Sequence, residues 1–285
     1  MPPTLDMATL TKWIGRKQSH KDTIRLAPAH LMEMTLDRDP RLSLGSALPP
    51  LWHWLYFLHS TRIRDLGRDG HPARGGFLPP VALPRRMWAG GRFGFARELI
   101  IGVDAEKTSA IANIVVKDGR TGPLCFVTVR HEVSAMGALL FWEEHDIVYR
   151  SDPVPGAPKP LPPMAPTDWT ATETVTPSEV MLFRYSALTF NGHRIHYDRD
   201  YARDVEGHDG LVVHGPLIAT LLADLAHRQN PVRKMTGFEF RAISPLYDTH
   251  PFSIAAHNDG TATILAAINA EGRLAMQAKA EFNPR

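Results

Sequence analysis

The stretch SDPVPGAPKPLPPMAPTDW, Ser151 to Trp169, constrains the fold more than any other part of the chain: seven of its 19 residues are proline. Proline locks φ near about −65° and carries no N–H donor, so such a run cannot be a helix or a central strand and favours extended polyproline geometry. It reads as a semi-rigid linker, residues 151–169, between a first half, residues 1–150, and a second half, residues 170–285. A chain of 285 residues, 44% apolar and 22% charged, is long enough to bury a substantial core and is ordinary for a soluble globular protein. With 32 basic against 30 acidic residues, net charge +2, nothing points to a nucleic-acid partner, although local basic clusters remain free to hold an anion.

The lone cysteine, Cys125, excludes a disulfide within the chain and fits a reducing compartment. It stands in LCFVTVRHEV in period-two register with Val127, Val129 and Val133, which makes it a buried strand thiol rather than a nucleophile. The start, MPPTLDMATLTKWIGRK, lacks the order of a secretion signal, and no apolar run reaches the roughly 20 residues of a membrane span. A cytoplasmic bacterial or organellar-matrix protein with no membrane partner is expected.

Both halves follow one order, helix before strands. In the first, APAHLMEMTLDRD is a proline-led helix, followed by strands in RFGFARELIIG, SAIANIVVKDG, GPLCFVTVRHEV and LLFWEEHDIVYR. In the second, Thr176-Pro177-Ser178-Glu179 reads as a capping box opening a helix through EVMLFRYSALTF. Strands follow in GFEFRAISPLY, HPFSIAAHNDG, TATILAAINAEG and RLAMQAKAEF, with hairpin turns at Lys117–Arg120, Asn258–Gly260 and Glu271-Gly272. The layout is α+β, a helix on an antiparallel sheet in each half. Between these elements HGPLIATLLADLAHR is a helix with Pro216 in its first turn and Gly215 just before it. The free N–H groups and dipole of that helix start can hold developing negative charge.

The densest polar segment is FNGHRIHYD, Phe190 to Asp198. As a metal site it is poor: His193-x-x-His196 is a bare pair, and no HExxH or CxxC accompanies it. As a serine hydrolase it lacks GxSxG, and Ser186 falls inside a helix as a packing residue. Two readings stay open on the residues alone. One is a loop whose histidines merely satisfy buried backbone groups. The other is an acid/base loop beside an oxyanion-holding helix start, as enolate chemistry on a thioester requires.

FRYSALTFNGHRIHYDRDYA followed by GLVVHGPL resembles the hydratase motif of the MaoC-like, R-specific enoyl-CoA hydratase family. The nearest branch contains itaconyl-CoA and mesaconyl-CoA hydratases and mitochondrial 3-hydroxyacyl-thioester dehydratases. LPRRMWAGGRFGF and KDGRTGPLCFVTVRHEV are similar to the first half of the same proteins, so the likeness covers most of the chain. It implies a double hotdog fold, each half a long helix wrapped by a curved antiparallel sheet. It implies a hydro-lyase that adds water reversibly to an enoyl-CoA, without metal or redox cofactor.

The family motif, Asp-x-Asn-Pro-aliphatic-His, lies on Asn191, His193, Arg194, Ile195 and His196, and Gly215 matches the glycine whose N–H binds the thioester oxygen. Asn191 stands where the family has aspartate. An amide can orient a water but cannot exchange its proton, so His196 is expected to carry the proton, Asn191 to place the water and His193 to assist. Arg194 replaces a proline. It would suit a free carboxylate on the acyl group, as in a five-carbon dicarboxylic enoyl-CoA, or equally a carboxylate of the protein itself. Asp198 is a second candidate to stand in for the missing aspartate, or equally a cap for the turn around Tyr201. Arg85-Arg86 and Arg233-Lys234 are candidates for the CoA phosphates, and Trp52 and Trp54 for the acyl or pantetheine channel, with core packing as the alternative. The likeness leaves a fatty-acid type dehydratase and a non-catalytic acyl-CoA binding protein open, and a homodimer is one assembly it allows.

Overall fold

The computed structural model describes residues 5–119, 122–152 and 161–284. A one-turn helix α1 (Met7–Leu10) precedes β1 (Lys17–Thr23) and α2 (Leu26–Thr35). A long irregular stretch follows, carrying two short 3-10 turns, Trp52–Leu55 and Ile63–Asp65. Then come β2 (Arg85–Phe95), β3 (Asp104–Gly119), β4 (Gly122–Ala135) and β5 (Ala138–Arg150). The second half repeats the order with β6 (Ala171–Val175), α3 (Glu179–Leu188), α4 (Gly215–Gln229), β7 (Met235–Ala242), β8 (Phe252–Asn258), β9 (Ala262–Ile268) and β10 (Leu274–Phe282).

The strands form one antiparallel sheet in the order β1-β3-β4-β5-β2-β7-β10-β9-β8-β6. Each half supplies five adjacent strands, with its own first strand at the outer edge. The halves meet where β2 pairs with β7, Gly90 opposite Arg241 through Gly94 opposite Gly237. A bulge between Trp88 and Gly90 bends β2 there. One apolar core crosses the seam, with Phe93 of β2 against Phe238 and Phe240 of β7 at 6.1 and 6.4 Å between ring centroids. Cys125 lies buried in β4 as expected, and burial pushes its thiol up to about 11.

α4 is the spine of the second half. Ten consecutive residues, Leu217 to Ala226, are buried, so the helix is covered all round rather than along one stripe. The second-half strands cover one side. From the first half, Arg38 reaches over to Asp224 at 2.8 Å. The first half departs from the expected long helix in each half. Its α2 corresponds to α3, since each follows the first strand of its half. Where a counterpart of α4 would lie, residues 36–84 hold seven prolines and five glycines, and the described structure there is turns. The helix start at Thr176 is also shifted: Ser178 is the cap, accepting the Met181 N–H at 3.1 Å, and Pro177 stays outside α3.

Residues 153–160, the centre of the expected linker, lie outside the described residues, as does the tip of the β3–β4 turn at residues 120–121. The part of the linker that follows is fastened to the second half. Leu274 N–H donates to the Pro163 carbonyl and Ala165 N–H to the Gly272 carbonyl, both at 2.9 Å. None of the described helices is long and apolar enough to cross a membrane.

The seam tolerates no side chain at Gly90, where a Cβ would stand 2.5 Å from the Phe240 carbonyl oxygen. Gly90→Ala is therefore expected to lower stability by about 1–3 kcal/mol, as overpacking typically does. A urea midpoint equal to that of the wild type would show that the seam can open to admit it.

Candidate active site

The polar segment begins in the way α3 ends. Phe190 adopts a left-handed φ of 50°, its N–H donates to the Ala187 carbonyl at 3.3 Å, and the Asn191 N–H to the Ser186 carbonyl at 2.8 Å. This pair of bonds is the Schellman arrangement, which glycine usually serves; a residue with a Cβ pays about 1–2 kcal/mol for the conformation. The turn aims Asn191 inward, where its Oδ1 accepts the His193 N–H at 3.0 Å in an Asx turn. Arg194–His196 then form a single 3-10 turn that buries Ile195 and His196.

A first-half loop locks this segment from outside. Arg194 N–H donates to the Asp69 carbonyl at 2.9 Å, and its guanidinium to the Arg68 carbonyl at 3.2 Å. Gly70, at φ 85°, passes so close that a Cβ there would lie 1.9 Å from the Gly192 carbonyl oxygen. The loop thereby delivers Asp69 and His71 to the histidines of the motif.

His196 is buried, and its Nδ1 lies 2.7 Å from the Val212 carbonyl oxygen. A carbonyl only accepts, so Nδ1 carries the proton and Nε2 the lone pair. Its ring lies flat on that of His214, 3.6 Å between centroids and 19° between planes. Burial first, then the neighbouring His214 and His193, hold His196 far below the usual imidazole range, against the opposing pull of the Val212 bond. Burial likewise pushes His214 down to about 3. Both rings are therefore neutral near pH 7. Ser186 is more than a packing residue: its hydroxyl lies 2.8 Å from His214 Nε2. His214 Nδ1 is buried without a partner among the described residues, so no third group orients that ring as a hydrolytic triad needs.

Two carboxylate–histidine pairs stand beside His196. Asp69 Oδ2 is 3.0 Å from His71 Nδ1, and Glu206 Oε1 is 3.6 Å from His193 Nε2. The His71 and His193 rings pack at 4.2 Å, and His193 meets His196 edge-on at 5.5 Å. Burial works to raise the Glu206 carboxyl, but His193, Arg85 and Tyr201 outweigh it and hold Glu206 at about 2. Arg85 pairs with Glu206 at 2.9 Å, and the charge of Arg86 bears on His71. Asp69, His71 and His193 converge closely enough to take a cation, whereas His196 of the HxxH pair is turned away to Val212.

Gly215 opens α4 directly after His214, and a Cβ built on it would meet nothing within 4 Å. As a first-turn residue, Gly215 has an N–H with no acceptor within the helix. Arg194 is committed within the protein. It pairs with Asp198 at 2.8 Å and lies over the Tyr201 ring at 4.1 Å, while Asp198 also accepts the Tyr201 N–H at 3.0 Å. The structure does not bring Arg233, Lys234, Trp52 or Trp54 to this group. Arg233 and Lys234 lie past the far end of α4, about 20 Å along the helix from Gly215 at ~1.5 Å per residue. Arg233 donates to the Asn283 carbonyl at 2.8 Å, and Lys234 pairs with Glu98 at 3.2 Å. Trp52 is buried in the core, and Trp54 donates to Glu143 at 3.0 Å.

A family model described as hydroxyacyl-thioester dehydratase type 2 matches residues 51–248, both halves of the site included. The chain belongs to that family. Hydroxyacyl-thioester dehydratases are hydro-lyases, and so is this protein. The mesaconyl-C(4)-CoA hydratase of Chloroflexus aurantiacus is 47% identical over 274 residues, covering 95% of this chain and 96% of that one. A MaoC-like dehydratase from Phytophthora capsici superposes with a TM-score of 0.69 at 12% identity, over 98% of this chain and 99% of that one. A Mycobacterium tuberculosis protein described as having a double hotdog fold gives 0.58 at 13% identity, over 94% and 96%. The fold is the double hotdog. Asp69, His71 and Glu206 were not singled out from the sequence; the only local hint at the first two was Asp-Gly-His in a glycine-rich stretch.

Five imidazole rings that resist protonation set the acid limit of stability. Burial first pushes His59 and His71 down to about 4, His214 to about 3, and His131 and His196 well below their usual value. Above about pH 6.5 they are neutral whether folded or not; below it the unfolded rings take protons that the folded ones refuse. Stability present above pH 6.5 is thus lost as pH falls towards 4 and then 3. Unfolding at pH 5 should take up about five protons, read from the slope of stability against pH; a flat profile between pH 7 and 4 would contradict these shifts. Gly70→Ala, forced against Gly192, is expected to cost at least tenfold in kcat/KM, since misplacements near about 1 Å in reacting geometry are that costly.

Proposed function

We propose that the protein catalyses reversible hydration of an enoyl-CoA, with a five-carbon dicarboxylic acyl group such as mesaconyl or itaconyl as the favoured substrate. The observation that carries the reaction is His196: neutral, buried, with Nδ1–H tied to Val212 so that Nε2 holds a lone pair, next to the helix start at Gly215. In this reading Nε2 takes a proton from water as its oxygen bonds to C3 of the enoyl group. The electron pair of the C2–C3 double bond moves towards the thioester, whose oxygen is met by the Gly215 N–H at the positive end of α4. The proton held on Nε2 then passes to C2, leaving a 3-hydroxyacyl-CoA. Dehydration is the same path reversed.

Asn191 Oδ1 already accepts the His193 N–H, so what the amide offers the water is Nδ2. His193, backed by Glu206, supplies the second polar contact where the wider family has an aspartate. The dicarboxylic substrate is supported by the name of the 47% identical relative, a mesaconyl-C(4)-CoA hydratase. Because Arg194 is engaged with Asp198, we assign the substrate carboxylate to Arg86 on β2, whose charge bears on His71 and which also meets Tyr149 of β5.

His196→Ala should lower kcat by about 10²–10⁴, the usual worth of a general base; unchanged turnover would end the mechanism. Arg86→Ala should cost tenfold or more in kcat/KM on mesaconyl-CoA and little on crotonyl-CoA, while Arg194→Ala should slow both alike. Equal losses for Arg86→Ala on the two substrates would remove its carboxylate role.

A further inference from the structure

His214 is the residue of the site whose presence folding alone does not explain. It caps α4, a position favoured by serine, threonine, aspartate and asparagine because their side chains bind the first free N–H groups. The His214 side chain makes no such bond; only its carbonyl serves the helix, accepting the Ile218 N–H at 3.0 Å. The residue is 0% exposed, and of its two ring nitrogens Nε2 lies 2.8 Å from Ser186 Oγ while Nδ1 has no partner among the described residues. An apolar side chain would fill the same space without leaving a buried nitrogen orphaned.

The place of the proton on His214 follows from these contacts. A buried N–H with no acceptor is rarer than a buried acceptor with no donor. Nδ1 therefore holds the lone pair, and Nε2–H donates to Ser186. A second proton on the ring would create the orphan N–H, so the geometry itself keeps His214 neutral. α3 fixes the ring twice, through Ser186 and through Tyr185, whose own buried ring packs edge-on at 4.9 Å between centroids. One face of His214 then carries His196, at the 3.6 Å stack already described.

In the hydration read for this site, His196 becomes a cation once Nε2 has taken the proton of water. Its Nδ1–H is held by the Val212 carbonyl, an uncharged group. Among the described residues no carboxylate pairs with it, and Glu206 reaches it only by way of His193. A hydrolytic triad steadies its imidazolium with a carboxylate. Here the group in contact is the face of a neutral aromatic ring, which attracts a cation laid over it.

We propose that His214, oriented by Ser186, is a positioning residue for His196, fixing the plane of its ring and accommodating the imidazolium formed on proton transfer. The proposal rests on the hydration reading and adds two residues to it: Ser186 acts through His214, and His214 through His196.

The test uses full-length variants, each checked for folding by circular dichroism and compared in hydration of mesaconyl-CoA. His214→Leu should lower kcat about a hundredfold, as misplacing a reacting group by about 1 Å does, with KM within about twofold of the wild type. His214→Phe keeps a ring face and should lose about tenfold less. Ser186→Ala should lower kcat about tenfold, and Ser186→Thr, which keeps the hydroxyl, should restore most of it. Nitrogen-15 NMR of histidine-labelled protein without substrate should show the Nε2–H tautomer at His214, lost in Ser186→Ala and kept in Ser186→Thr. The serine pair and the spectra decide the matter if the His214 variants do not fold. Wild-type kcat in His214→Leu, equal losses for Leu and Phe, a change confined to KM, or an Nδ1–H tautomer at His214 would each overturn the proposal. If His196→Ala loses turnover while His214→Leu keeps it, the hydration reading stands and this proposal alone falls.

Discussion

The backbone pairing of β2 with β7 is the contact on which the remainder of the molecule depends. It turns two five-stranded sheets into one and brings the aromatic rings of both halves into a single core. It also fixes where β2 begins, and so puts Arg85 and Arg86 beside Glu206 and His71. The first-half loop around Gly70 can then reach across to the Arg194 backbone. The candidate site is composite in consequence. His196, His193 and Gly215 come from the second half, and the residues that surround and restrain them come largely from the first.

The chemistry at that junction is governed by burial more than by formal charge. His196 and His214 stack at a distance where two cations would repel strongly, and the surrounding apolar residues penalise even one. The outcome is a neutral histidine with a defined tautomer. The carboxylates nearby take the other route. Asp69 and Glu206 remain ionised because each faces a histidine or an arginine at close range, which outweighs the cost of burial.

Much of the fold was legible because most strands alternate apolar and polar residues. β1, KQSHKDT, and β6, ATETV, were not, and they are the two edge strands, where polar residues discourage pairing with another chain and leave little apolar signal. The long helix of the first half was expected from family likeness, and the structure replaces it with turns over the proline- and glycine-bearing residues 36–84. The motif loop could be read because its residues are contiguous. Asp69 and His71, more than 120 positions upstream, reach it only through a loop crossing that no local pattern records. Arg194 illustrates the reverse limit: sequence allowed a substrate carboxylate or an internal one, and only the position of Asp198 separates them.

The complete burial of α4 has a bearing on how the chain matures. A helix covered on every side cannot finish packing against its own sheet alone, because its opposite flank would remain wet and greasy until Arg38 and its neighbours arrive. The second half on its own would thus present a sticky ridge, satisfied most simply by another copy of itself. Joining the two halves in one polypeptide supplies the cover at a fixed local concentration, independent of how much protein the cell makes. The tether thereby guards against mispairing during synthesis as well as holding the mature halves together.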